Sequence, residues 1–329
     1  FFKGMITAFN LYVKPSVEDP SILEIEPLND FYNDSTDALI WTDIVDRSKP
    51  IKVVPTVNYS SKNYSFEFSN DDDYFNTRYF EDVQKQYGSF LVQSQNQFAS
   101  DDTDLKLPFS QKLLVKIPLN ETTYTDLIVP RAFQMKINED GTTEMVTKKG
   151  KPFIVQLGPM TTGDWYHVDE NDIANFETTY PYVGHLDNLT SPTFDFNWGA
   201  PYYVFWQTSA YTSNNLYNYH EKFLKEIISP FGKQVTLSVK LDSALINRLD
   251  FRNLINIDGV VYRLQKVSDY DSGKNETTEI ELIRILEGEN ISTHQMSIPY
   301  DPFGKLNVRA TEDGEFRETE DGADNRRIE

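Results

Sequence analysis

The chain has 329 residues, no cysteine, an aromatic content of 14% and a formal net charge of −20. The absence of cysteine excludes disulfides, thiolate metal sites and a cysteine nucleophile, and the acidic balance argues against a nucleic-acid-binding protein, because such proteins use Lys and Arg to displace phosphate counterions. A hydrophobic content of 39% excludes disorder for most of the chain, and no apolar segment approaches the roughly 20 residues of a membrane-spanning helix.

Alternation of apolar and polar residues recurs along the chain and predicts a mainly β protein. We expect antiparallel sandwich or barrel domains, one or two short helices, and long aromatic-rich loops. In the first third, the pattern predicts strands at 51–57 and 64–68, separated by a polar turn at 58–63. A short helix is expected at 79–87, with Gly88 just beyond its last residue.

The middle of the chain combines a hairpin, a loop region and a helix. Alternating residues at 133–137 and 143–146 flank a Glu-Asp-Gly turn and predict the hairpin. Residues 164–206 lack regular periodicity but are rich in Tyr, Phe, Trp, Pro and Asn, which predicts an ordered loop region packed through its rings. Apolar residues at helical spacing predict a helix at 215–228 with its N-cap at 213–214.

The clearest strand pattern follows this helix. Asp258-Gly259 separates two short apolar runs and is a strong hairpin signal, because glycine adopts positive φ without steric cost. A helical turn is expected at 243–249. The alternation predicts four strands, at 235–241, 254–257, 260–267 and 278–285. Together they predict a small antiparallel barrel or sandwich.

These patterns divide the chain into four predicted segments. The last one contains too few large apolar residues to form a core of its own. The segments are a β-rich domain at 1–130, a hairpin with aromatic loop and helix at 131–232, a small antiparallel barrel at 233–290, and an acidic extended tail at 291–329.

Residues that could carry chemistry are few. His185 could pair with Asp187, but no nucleophile motif accompanies them, and His220 is interpreted as a packed or surface residue. The carboxylates at 71–73 and 101–104 could bind Ca²⁺, but their composition is more typical of surface turns. With no Gly-rich phosphate loop and no metal-binding histidine pair, the sequence predicts no catalytic, cofactor-binding or metal-binding residue.

Several segments carry a resemblance to a known family through their order and spacing. They are 180–199 (which begins Tyr-Pro-Tyr-Val-Gly-His and ends Phe-Asn-Trp-Gly), 211–227, 249–252, 257–266, 269–270 and, more loosely, 71–76 and 106–110. Together they resemble virion structural proteins of tailed phages and prophages of Bacteroidetes, including crAss-like phages. The resemblance extends over residues 40–286.

The resemblance implies a non-enzymatic tail protein, most closely the muzzle at the distal end of the tail, with a tail-hub-like barrel at 233–290. It implies that copies of the chain form a ring in the virion with other tail proteins, and that DNA is ejected through this ring. The residues expected to be structural or at interfaces are Tyr180, Tyr182, His185, Asp187, Asn188, Trp198, Tyr211, Asn215, Tyr217 and Phe251.

Three further expectations accompany this interpretation. The negative charge would keep duplex DNA from adhering to the wall of a conduit, so no specific nucleic-acid binding is expected, and neither is a membrane span. The chain starts at Phe1 without Met, which leads us to expect proteolytic processing of a longer precursor. No cofactor is expected.

Two other classes of function stay open. The aromatic residues around Trp165, Trp198 and Trp206 could form sugar-stacking platforms of a carbohydrate-binding receptor-recognition module, although rings that fill a core or an interface are the preferred interpretation. A polysaccharide-degrading enzyme would need two carboxylates across a cleft, and the sequence nominates no such pair.

Overall fold

The computed structural model confirms a mainly β chain. Its helices are α1 (Phe2–Phe9), α2 (Leu28–Phe31), α3 (Tyr74–Val83), α4 (Asn218–Ile228) and α5 (Ser243–Arg248), with 3₁₀ turns at Ser35–Asp37, Thr42–Ile44 and Thr56–Tyr59. The residues that the structure describes are 1–16, 19–94, 96, 99–118, 124–138, 141–147, 150–189, 191–201, 212–271, 273, 276–286 and two short strands after residue 300.

The strands in the described part of the chain pair in sheets of two, three and six. They are β1 (Leu11–Pro15), β2 (Leu23–Pro27), β3 (Leu39–Ile40), β4 (Lys52–Pro55), β5 (Asn63–Glu67), β6 (Phe90–Gln93), β7 (Asp102–Lys106), β8 (Leu114–Pro118), β9 (Tyr124–Pro130), β10 (Phe133–Ile137), β11 (Thr143–Thr147), β12 (Gln156–Val168), β13 (Ala174–Gly184), β14 (Lys233–Val239), β15 (Leu254–Ile257), β16 (Val260–Ser268), β17 (Thr278–Arg284), β18 (Arg309–Ala310) and β19 (Phe316–Arg317). Apart from β18 and β19, the predicted acidic tail lies outside the described residues.

The four strands predicted in the last third of the chain are confirmed as the centre of the six-stranded sheet. The strand order is β3-β15-β16-β17-β14-β4, and the four central strands pair antiparallel. On β14, Val235, Leu237 and Val239 face a buried core, as the alternation predicts. Asp258 and Gly259 both have positive φ, at 53° and 82°, which is the geometry of a type I′ hairpin turn.

The six-stranded sheet takes its outer strands from the first part of the chain. β3 pairs parallel with β15, whereas β4 pairs antiparallel with β14. Between them, the N–H of Trp41 donates to Asn256 at 2.9 Å, and Ile44 accepts the N–H of Lys240 at 2.8 Å. The segment that joins β3 to β4 therefore contacts β15 and the end of β14. Trp41 of this segment packs in the core of the six-stranded sheet. The four-segment division and the barrel or sandwich form stay predictions.

A second core lies around the three-stranded sheet β6-β5-β7. Phe66 of β5 packs there with Trp198, with Leu224 of α4 and with Ala8 of α1. The strands predicted at 51–57 and 64–68 both exist as β4 and β5, but they belong to different sheets.

Two helix boundaries differ from the predictions. α3 begins five residues before the predicted start, because the Asp73 carboxylate accepts the N–H of Asn76 at 3.1 Å and caps the helix. The helix ends at Val83, and Gln84, which follows it, has a left-handed backbone conformation. α4 begins at Asn218 instead of 215, because the Asn215 side chain accepts the N–H of Tyr217 at 3.0 Å and forms a turn before the helix. The N-cap predicted at 213–214 is therefore wrong.

The loop prediction for 164–206 is wrong over its first half. β12 and β13 pair from Gln156 with Gly184 out to Val168 with Ala174, with a bulge between Thr161 and Trp165. We call this long hairpin the arm. Its outer half is largely exposed, so no alternation between core and solvent marks it in the sequence.

Candidate functional site

Most of the expected interface residues meet at the base of the arm, in a region that we call the hub (residues 180–189, 191–198 and 215–217). Here a short bridge joins Leu186 to Asp195, and a second joins Asp195 to Asn215. Segments that are separate in the sequence are thus held side by side. The expected residues that lie in the hub are Tyr180, Tyr182, His185, Asp187, Asn188, Trp198, Asn215 and Tyr217. Tyr211 lies outside the described residues, and Phe251 lies elsewhere.

His185 is the polar centre of the hub. Its Nδ1 lies 2.8 Å from Asp195 Oδ1, and its Nε2 lies 2.8 Å from the Tyr87 hydroxyl. The same Asp195 oxygen accepts the N–H of Asn197 at 2.9 Å. The suggested pairing of His185 with Asp187 is therefore wrong, because the buried Asp195 occupies that position.

Asp187 instead closes the loop that precedes Asp195. Its carboxylate accepts the Thr193 hydroxyl, the N–H of Thr193 at 2.8 Å and the N–H of Phe194 at 3.1 Å. Burial opposes ionisation of Asp187, but these hydrogen bonds outweigh it and lower the pKa of its carboxyl group. Asn188 accepts the N–H of Ser191 at 3.0 Å in the same loop. Both residues shape the backbone.

The aromatic residues of the hub that were expected at interfaces, Tyr180, Tyr182, Trp198 and Tyr217, are buried. Trp198 is fully buried between the rings of Phe66 and His220, with centroid distances of 5.0 and 5.3 Å. The His220 imidazole hydrogen-bonds the carbonyl oxygen of Thr7 at 2.9 Å, and burial lowers the pKa of its imidazole. It is thus a packed histidine. Burial also raises the pKa of Tyr217.

The hub has the character of a structural polar network. His185, Asp195 and Tyr87 are all buried, and the imidazole hydrogen-bonds both of the others. Sequence reasoning missed Asp195 and Asn197, although a signal was present. The signal is that Asp195 and Asn197 alternate with the rings of Phe194, Phe196 and Trp198 along the sequence. In the structure, Asp195 and Asn197 are buried more deeply than Phe194 and Phe196.

The arm extends the buried face of the hub into solvent. Alternate residues of a strand share a face, so Tyr182, Tyr180 and Phe176 of β13 lie on one side of the arm. The two tyrosines pack on Leu114 and Ile128, whereas Phe176 is 75% exposed. Tyr166 of β12 lies opposite Phe176, with ring centroids 6.0 Å apart, and is 64% exposed. The outer arm therefore carries an uncovered apolar face.

Phe251 lines a separate open groove of about 720 Å³. The groove lies between the β1–β2 hairpin and the turn after α5, and its other rings include Tyr12, Phe31 and Tyr32. Lys14 and Asp250 form an ion pair of 2.9 Å at its edge. Phe251 is about half exposed, which suits contact with a partner or ligand.

The acidic cluster at 71–73 is not the surface turn that composition suggests. The side chains of Asp71 and Asp73 are 3% and 0% exposed, and both contact the equally buried ammonium group of Lys112. The lysine lies 41 residues beyond Asp71, so no local pattern connects them. We call these three residues the lysine triad.

The described ranges contain neither a metal-ion cluster nor a membrane-crossing helix. Within them, no three His, Asp or Glu side chains are grouped so that they could hold a metal ion. None of the helices seen there has the length and apolar character required to cross a bilayer. Comparison of the chain with family models, with curated proteins and with solved structures finds no match.

Proposed function

We propose that this chain is a structural subunit of a phage tail, located at its distal end, where identical copies form a ring with other tail proteins. The resemblance over residues 40–286 motivates the proposal. The structural observation that carries it is the uncovered apolar face of the arm around Tyr166 and Phe176. Exposed apolar faces on soluble proteins commonly mark contact surfaces for a partner.

The dimensions of the arm favour a role in assembly. A strand of 13 residues extends roughly 40 Å, and an isolated two-stranded ribbon is only marginally stable in water. Packing on a neighbouring copy would cover the exposed rings and order the ribbon. Contacts in which each copy donates one surface and receives another close into a ring when the rotation permits.

The charge of the chain fits a conduit for DNA. At −20, the chain repels phosphate groups on average. A wall lined by carboxylates would therefore let a duplex pass without adhesion. Binding of duplex DNA to the purified chain at low salt, measured by fluorescence anisotropy, would contradict this part of the proposal.

Immunogold electron microscopy tests the location. Antibodies raised against the folded chain are applied to particles of the phage whose genome encodes it. The expected result is label at the distal end of the tail. Label on the head, or intact particles without this chain by mass spectrometry, would overturn the assignment.

Light scattering tests assembly through the arm. We expect the purified chain to self-associate as its concentration rises, and Phe176→Lys to shift this association to at least tenfold higher concentration. Phe231→Lys is the control, because Phe231 is also an exposed ring but lies outside the arm. Equal association of all three proteins would exclude the arm as the contact.

The carbohydrate-binding alternative keeps one structural feature in its favour, the aromatic groove that contains Tyr12 and Phe251. Trp198 no longer supports it, because this ring is fully buried. A glycan array tests it directly. Binding that is lost in Phe251→Ala would favour this function, and release of sugar fragments from a bound polysaccharide would favour the enzymatic alternative.

A further inference from the structure

The lysine triad places a nucleophile against two carboxyl groups inside the protein. Lys112 Nζ lies 2.5 Å from Asp71 Oδ2 and 2.8 Å from Asp73 Oδ2. All three side chains are at most 3% exposed. Two carboxylates at one ammonium leave the cluster with a net charge of −1, which is costly at such burial.

The two carboxylates are held in different ways. Asp73 caps α3, and its two oxygens accept the backbone N–H and the side-chain amide of Asn76 at 3.1 and 2.7 Å. Asp71 belongs to the loop before the helix, where Oδ2 also accepts the N–H of Lys151 at 2.9 Å. Both carboxylates present Oδ2 to the lysine, but Asp73 is also engaged in the helix cap, and Asp71 Oδ2 is the oxygen nearer to Nζ.

The backbone of Gly150 packs directly against the lysine triad, where there is no room for a side chain without displacing its neighbours. A Cβ atom at this position would lie 3.1 Å from Asp71 Oδ2 and 3.3 Å from Lys112 Nζ. Leu113, which follows the lysine, packs on the buried rings of Tyr79 and Tyr87. The reacting groups are therefore enclosed and kept in contact.

We propose that Lys112 and Asp71 condense spontaneously to an isopeptide bond, with Asp73 as the catalytic proton carrier. This modification is independent of the tail assignment. It would covalently join the loop before α3 to the segment that leads into β8. It would resist mechanical and thermal opening, because the link persists when the surrounding contacts break.

The step balances without an added reactant. One proton passes from the Lys112 ammonium to Asp71 Oδ2, which yields a neutral amine beside a neutral carboxyl group. The Nζ lone pair then attacks Asp71 Cγ, and Asp73 takes a second proton from Nζ and delivers it to the departing hydroxyl. One C–N bond forms, one C–O bond breaks, and one water leaves. Asp73 ends as a carboxylate that accepts the new amide N–H.

Mass spectrometry of the full-length chain tests the proposal. The denatured protein should weigh about 18 Da less than its sequence, the mass of one water. After trypsin, peptides 63–78 and 107–116 should appear joined, without cleavage after Lys112, and their fragment ions should place the bond on Asp71. A folded wild-type chain with the full mass, and with ordinary cleavage after Lys112, would overturn the proposal.

Two neighbouring substitutions separate chemistry from folding. Asp73→Asn keeps a side chain that caps helices well but removes the proton carrier, so the full mass is expected in a chain that still shows the wild-type circular dichroism spectrum. Asp72→Asn changes the exposed neighbour and should leave the bond intact. Bond formation in Asp73→Asn at the wild-type level would overturn the role of Asp73. The wild-type measurement decides on the bond even if the variant does not fold.

Discussion

Gly88 shows how a single residue fixes the packing of the hub. Its φ is +71°, its carbonyl accepts the N–H of Trp198 at 2.8 Å, and a Cβ atom would overlap the Asn197 side chain. It also follows Tyr87, which contacts His185. Sequence reasoning assigned Gly88 to the end of a helix, where glycine is common. The same conformational freedom serves a close approach of two loops instead.

We predict that Gly88→Ala lowers the free energy of unfolding by about 2–4 kcal/mol, because backbone strain adds to a clash that must be relieved. Gly259→Ala is the matched control. Gly259 has φ +82°, but a Cβ atom added there would meet no neighbouring atom within 4 Å, so only the backbone cost of about 1 kcal/mol is expected. Urea denaturation measures both, and equal losses would contradict the close approach.

At the scale of elements, the short helix α5 depends on the residue that precedes it, Asp242. The Asp242 carboxylate accepts the N–H of Leu245 at 2.7 Å, and the helix has only six residues. A helix this short gains little from its own hydrogen bonds, so the cap holds a large share of its stability. α5 precedes the turn that carries Phe251, and its position therefore shapes the aromatic groove.

We predict that Asp242→Ala costs about 1 kcal/mol of unfolding free energy, whereas Asp242→Asn stays within a few tenths, because Asn caps equally well. Thermal denaturation of the three proteins measures the difference. If the alanine and asparagine variants melted at the same temperature, the cap would not be the source of the effect.

The elements also show which local patterns predict structure. β14 alternates between buried and partly exposed residues, and so does most of β17, while β15 and the start of β16 are short apolar runs that flank the Asp258-Gly259 turn, so these strands and the turn follow from the sequence. β12 and β13 have no such pattern over their outer half, where Tyr166 and Phe176 are exposed, and loops were expected there instead. A ribbon whose faces are both exposed leaves little trace in side-chain periodicity, because neither face is selected for burial.

At the scale of the whole molecule, a buried ion pair joins the two cores. Glu226 of α4 contacts Arg263 of β16, and both side chains are almost fully buried. The backbone carbonyl of Glu226 also accepts the Thr56 hydroxyl at 3.0 Å, just after β4. Burial raises the pKa of Glu226, and the Arg263 charge partly opposes this.

We predict that Arg263→Leu costs about 3–5 kcal/mol at pH 7, because it leaves a buried carboxylate unpaired. Joint replacement of Glu226 and Arg263 by leucine should cost less than the single change. Urea denaturation of both variants and the wild type gives the comparison.

The same variant should show a pH signature. A carboxyl group with a raised pKa in the folded state contributes most stability below its unfolded pKa, and this contribution is lost as pH rises through the folded value. Without Arg263, the pKa of Glu226 rises further, so the deficit of Arg263→Leu should shrink as pH falls from 7 towards 5. A deficit that does not change with pH would contradict an unpaired carboxylate.

The sequence by itself determined the mainly β class, the central strands of the six-stranded sheet and their type I′ turn, because alternation and turn chemistry are local signals of burial and chain reversal. Only the tertiary structure decided which strands share a sheet, that Asp195 rather than Asp187 meets His185, and that Lys112 lies between two aspartates. These contacts join groups that lie 10, 41 and 39 residues apart along the chain. Their energies depend on three-dimensional packing, which has no period in the sequence.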